Sequence, residues 1–167
     1  MNIEVRNEMQ KTPLIIAAEH GNIQEVTDLL NRGANVNAQD NFRNTSLIQA
    51  AYNGHKKIVR LLLDKGADVK VRNRAGATAL NYAATTGHYD IVNLLLDAGT
   101  DVNVVDNIEQ TPLMSAAADD HTGIVQLLLD RGANPALRTK YGETAEMLAE
   151  KEGYHDIVKL LRASKAS

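Results

Sequence analysis

The sequence predicts an all-α repeat solenoid, five stacked helix–turn–helix units with projecting β-hairpin or turn tips, in a single domain over residues 1–167. Three observations carry this reading. A Thr-led tripeptide returns every 33 residues without a slip, as Thr12-Pro13-Leu14, Thr45-Ser46-Leu47, Thr78-Ala79-Leu80, Thr111-Pro112-Leu113 and Thr144-Ala145-Glu146. Whole columns keep that step, among them Val26, Val59, Val92, Val125 and Val158, and Leu29, Leu62, Leu95, Leu128 and Leu161. Finally, apolar residues such as Ile91, Val92, Leu95 and Leu96 recur at helical spacing and form a stripe. No unit can bury that stripe alone, so neighbours must stack.

The units run over about 7–39, 40–72, 73–105, 106–138 and 139–167. Within each, Thr before the first helix accepts a hydrogen bond from an orphan N–H. Proline at the first helical position, as in Thr12-Pro13 and Thr111-Pro112, loses nothing there. The Ala pairs 17–18, 50–51, 83–84 and 116–117 let short first helices pack closely. A glycine at Gly21, Gly54, Gly87 and Gly153 permits a left-handed turn between the helices. The second helix carries the apolar stripe, each interior Leu contributing roughly 1.5–3 kcal/mol by burial. A second glycine, at Gly33, Gly66, Gly99 and Gly132, ends it at the C′ position. The polar stretch that follows, for example 101–106, leads into an extended turn.

The end units read as caps. Glu25 and Asp28 occupy slots that hold Ile58 and Leu61 one unit later, and Glu146, Glu150 and Arg162 stand where Leu113, Ala117 and Leu129 stand one unit earlier. A terminal unit needs a polar outer surface, so the array is expected to be whole. The tail from Arg162 to Ser167 is expected to fray.

These residues closely resemble the ankyrin-repeat family from about Lys11 to about Arg162. The second unit carries its pattern in Gly54-His55, Ile58-Val59, Leu61-Leu62-Leu63 and Gly66-Ala67-Asp68-Val69. The resemblance implies an L-shaped stack in which turn tips and first helices make a concave face for protein recognition. There are departures. The His of the family's Thr-Pro-Leu-His is replaced by Ile15, Ile48, Asn81, Met114 and Met147, which implies a looser or more apolar loop network. Asp120 stands in the first-glycine slot, where a left-handed conformation costs it about 1 kcal/mol.

Composition leaves little room for chemistry. The chain has no cysteine and a formal charge of −3 with acids and bases intermixed, so disulfides, thiolate metal sites and a general attraction to polyanions are not expected. The N-terminus is too polar for a signal peptide and no apolar run approaches a membrane span, which makes the cytoplasm the default location. His55, His88 and His121 share a slot, but equivalent atoms of stacked helices lie about 8–10 Å apart, too far for one metal. They read as structural. No nucleophile motif or phosphate loop is present, and the Asn44-Thr45-Ser46 sequon is a weak signal. The chain is expected to be a monomeric, non-catalytic binding module without cofactor or metal.

The informative positions are the turn tips. Three residues before each Thr stand Met9, Phe42, Ala75, Ile108 and Tyr141, an apolar row on an arm expected to face solvent. Varied polar residues flank it: Gln39, Asn41 and Asn44; Arg72 and Arg74; Val105, Asn107 and Gln110; Arg138, Lys140 and Glu143. On the first helices, Tyr52 is expected to act as a second anchor and Asp119 to lie at the rim, whereas Tyr82, Tyr89 and Tyr154 are expected to be structural. The partner-binding set is therefore Phe42, Ile108, Tyr141, Met9, Tyr52, Arg72, Arg74, Asn107, Lys140 and Asp119. The alternative is nucleic-acid or small-ligand recognition on the same face through Arg72, Arg74, Arg138 and Lys140.

Overall fold

A computed structural model describes residues 3–164. The described residues form ten helices and no strand, paired unit by unit: α1 (Pro13–Glu19) with α2 (Ile23–Asn31), α3 (Ser46–Tyr52) with α4 (Lys56–Asp64), α5 (Ala79–Thr85) with α6 (Tyr89–Asp97), α7 (Pro112–Ala118) with α8 (Thr122–Asp130), and α9 (Ala145–Glu152) with α10 (His155–Ser164). Each helix packs on its own partner and on the corresponding helix of the next unit. The tips are hydrogen-bonded turns rather than β-hairpins.

Local chemistry explains the helix boundaries. The hydroxyls of Thr12, Thr45, Thr111 and Thr144 accept from the backbone N–H three residues on, at 3.2–3.3 Å. Thr78 differs: the Asn81 carboxamide oxygen accepts from both its backbone N–H and its hydroxyl at 2.9 Å. Between the helices of each pair, Gly21, Gly54, Gly87 and Gly153 take φ of 76–82°, and Asp120 takes 58° in the same slot. The left-handed geometry expected of Asp120 is therefore present.

The inner helices α1, α3, α5, α7 and α9 approach one another more closely than the outer ones do. Alanine is the reason. Both residues of each Ala pair are buried at the inner-helix contacts, and Ala149 is buried in α9. The outer helices bury Val26 and Leu29, then Ile58, Val59 and Leu62, then Ile91, Val92 and Leu95, and so on to Ile157, Val158 and Leu161. One continuous core results.

The shared-slot histidines staple the units together. Nε2 of His55, His88 and His121 meets the backbone carbonyl of Glu19, Tyr52 and Thr85 in the preceding unit at 3.0, 3.1 and 2.9 Å. Each ring also lies against a glycine of that unit: a Cβ on Gly21, Gly54 or Gly87 would come within 2.6–2.7 Å of it. The slot one unit after Asp120 holds Tyr154 in place of a histidine.

At the first unit Glu25 and Asp28 are exposed. At the last, Arg162 ion-pairs with Glu146 at 2.8 Å and with Glu150, and the Glu146 hydrogen bond raises the guanidinium's already high pKa. The expectation of a frayed tail from Arg162 is corrected: α10 continues through Ser164, whose hydroxyl donates to the Leu161 carbonyl at 2.8 Å. Lys165, Ala166 and Ser167 lie outside the described residues.

Candidate interaction face

Each tip is built by a small polar residue that the sequence reading passed over. The slot holds Asn7, Asp40, Asn73, Asp106 and Thr139, and its side-chain oxygen accepts two backbone N–H groups, from residues two and four further on. The distances are 3.0 Å for Asn7, 2.8 Å for Asp40, 3.0 and 3.1 Å for Asn73, 2.9 Å for Asp106, and 3.2 and 3.3 Å for Thr139. The first of those N–H groups belongs to Met9, Phe42, Ala75, Ile108 or Tyr141. The apolar row is thus held by its own backbone while its side chains are left unconstrained by the turn.

The next residue in each tip is left-handed: Gln10 (φ 58°), Arg43 (62°), Gly76 (77°), Glu109 (61°) and Gly142 (82°). Three of these positions carry a side chain at a cost of roughly 1 kcal/mol each. Gly76 has a second constraint, since a Cβ there would collide with the Asn107 side-chain oxygen.

Successive tips are zipped by backbone hydrogen bonds at the same step. Asn41 N donates to Met9 O at 3.0 Å, Arg74 N to Phe42 O at 2.9 Å, Asn107 N to Ala75 O at 2.9 Å and Lys140 N to Ile108 O at 3.0 Å. The loops leading into the tips are tied as well. Asp68 N donates to Asn37 Oδ1 at 2.9 Å, Asn134 N to Asn103 Oδ1 at 2.8 Å, and Asn35 N to Glu4 Oε1 at 2.9 Å. Of the looser or more apolar network inferred from the missing Thr-Pro-Leu-His histidine, the second describes these loops. Backbone groups tie the tips whatever stands in that slot. Ile15, Ile48 and Met114 are buried there, and the Met114 sulfur accepts from Thr111 N at 3.5 Å.

The structure leaves most of the row in solvent. Met9 is 48% exposed, Phe42 50% and Tyr141 69%. Ala75 is also exposed, while Ile108 is half-buried. Tyr52 is 49% exposed and meets the Tyr82 ring edge-on, centroids 5.5 Å apart at 87°. The Tyr82 hydroxyl accepts from Asn73 Nδ2 at 2.9 Å, and that nitrogen also donates to Asn44 Oδ1 at 3.0 Å. Tyr82 is structural in this sense, as is half-buried Tyr154. Tyr89 is not: it opens α6 and is 49% exposed, with one edge of its ring beside Gly123 of the next unit.

The polar candidates fall into two groups. Arg72 donates to the carbonyls of Gly76 (3.1 Å) and Val105, and Arg138 to that of Gly142 at 2.6 Å. Both guanidinium groups brace the turns, as Arg6 does on Gln10 O and Gln39 O at 2.8 Å. Asn107 Nδ2 likewise donates to Arg74 O at 2.8 Å. By contrast, Arg74 and Arg43 are exposed, and no hydrogen bond or ion pair holds either guanidinium among the described residues. Lys140 Nζ lies 5.2 Å from the Tyr141 ring centroid, a cation–π distance. Asp119 is exposed at the C-terminal end of α7. Arg72 and Arg138 brace the turns through one terminal nitrogen each while remaining exposed.

A family model for ankyrin repeats (3 copies) matches residues 14–106 and 99–167. Comparison with curated proteins finds no match. Among the described residues, no helix is long and apolar enough to cross a membrane.

Proposed function

The chain belongs to the ankyrin-repeat family, and on that premise we propose that it is a non-catalytic module that binds a partner protein through its tips and inner helices, acting as a cytoplasmic monomer. Ankyrin repeats are generally protein–protein interaction modules. One observation carries the reading here: the apolar side chains Met9, Phe42 and Tyr141 stand in solvent on turns that are already fully hydrogen-bonded. A surface organised before the partner arrives loses little conformational entropy on docking. Aromatic and Arg side chains on such a surface have the composition of interface hot spots.

The test replaces Phe42, Ile108 and Tyr141 together with Ser and compares partner capture from the source lysate. Loss of every specific partner, with the helical circular-dichroism spectrum unchanged, is the expected result. Capture at wild-type strength by the folded variant refutes the proposal.

A further inference from the structure

The second and third tips carry a patch that the repeat does not require. Phe42 and Tyr52 are each about half exposed. Between tip and inner helices lies a cleft of about 290 Å³ lined by Asn44, Ile48, Gln49, Tyr52 and Tyr82. Arg43 and Arg74 lie on the two turns beside it: Arg43 adjoins Asn44, and Arg74 N is bonded to Phe42 O at 2.9 Å.

The charge is locally one-sided. Over the exposed turns 41–44 and 72–76 there are three arginines and no acid, in a chain of formal charge −3. The turn-building Asp40 is buried and already accepts two N–H groups. The fourth and fifth tips are mixed by comparison, with Glu109 and Glu143 beside Lys140. Arg43 shares its left-handed slot with Gln10 and Glu109, and its guanidinium has no hydrogen-bond or ion-pair partner among the described residues.

We infer that this patch takes an extended acidic peptide segment of the partner, with an apolar side chain in the Tyr52–Tyr82 cleft and carboxylates on Arg43 and Arg74. The inference rests on the protein-binding reading above and narrows it to one class of segment. Guanidinium groups match carboxylates geometrically, and Ile48 with the Tyr52 and Tyr82 rings gives the cleft apolar surface beside Asn44 and Gln49. A nucleic-acid strand fits less well. Tyr82 presents its ring to Tyr52 at 87°, so the pair makes no flat platform for successive bases.

The experiment selects phage-displayed random dodecapeptides on the full chain and measures the enriched peptides by fluorescence anisotropy. Enrichment of Asp and Glu around one aliphatic or aromatic residue is expected, with affinity falling as salt rises. Arg43→Gly separates binding from folding. It relieves the left-handed strain, so it should melt higher than wild type while binding the selected peptides about tenfold more weakly. Tyr52→Ala should weaken them similarly. Neutral or basic consensus sequences, no enrichment, or undiminished binding by Arg43→Gly would each overturn the inference. So would single-stranded polyuridylate that displaces the peptide at equal concentration with the same Arg43 dependence. If the acidic preference fails while the triple Ser variant still loses its lysate partner, the protein-binding reading stands and only this refinement falls.

Discussion

The helical spine and the row of tips share one period but use it differently. In the spine the side chains themselves repeat: Val26, Val59, Val92, Val125 and Val158 are all buried in equivalent places. In the tips the backbone repeats while most side chains do not. The same two N–H groups are accepted in every tip by Asn, Asp or Thr, and the next unit is bonded through the same backbone N–H. The difference teaches where variation is tolerated. A buried column must present nearly one shape to its neighbours on both sides. A turn closed by backbone bonds needs only one small acceptor, and the residue at its apex is released for another purpose.

The largest expected effect tests the spine. Leu95→Ala should destabilise the fold by about 2–5 kcal/mol in urea denaturation. Leu161→Ala should cost less globally, although Leu161 is equally buried, because α10 has a neighbouring unit on one side only. Equal costs would contradict a stack with distinct ends.

Glycine substitutions sharpen the contrast between spine and tip. Gly54→Ala combines a left-handed backbone with a Cβ 2.6 Å from the His88 ring, so it should cost well above the roughly 1 kcal/mol of the conformation alone. Gly142→Ala, left-handed but with no atom within 4 Å of a Cβ, should show only that conformational cost. If both variants melt together, the histidine contact has no energetic weight.

Asp120→Gly should raise the melting temperature by relieving about 1 kcal/mol of left-handed strain, offset in part by the greater backbone freedom of glycine in the unfolded chain. An unchanged or lower melting temperature would show that the strain does not exceed that offset. The smallest effect belongs to the tip apex. Phe42→Ser and Tyr141→Ser should each change stability by within about 0.5 kcal/mol, since their rings are half or more exposed. A large loss in either would mean that the apex packs as part of the spine and is not free for a partner.

Five-unit periodicity, helix pairing, the Thr caps, the left-handed glycines and the buried columns were all legible in the residues, because each depends on local geometry repeated at fixed spacing. Exposure of Phe42 and Tyr141 followed from the same register. Tertiary structure alone decided which polar tip residues remain available. Arg72 and Arg74 look alike in sequence, yet one guanidinium closes turns through Gly76 O and Val105 O while the other points free. It also decided that the loops are tied without the family histidine, and that Tyr89 stands in solvent. Periodicity determines which slot a residue occupies. Whether its donors meet carbonyls of the neighbouring unit depends on the spacing between units, which only the packed stack defines.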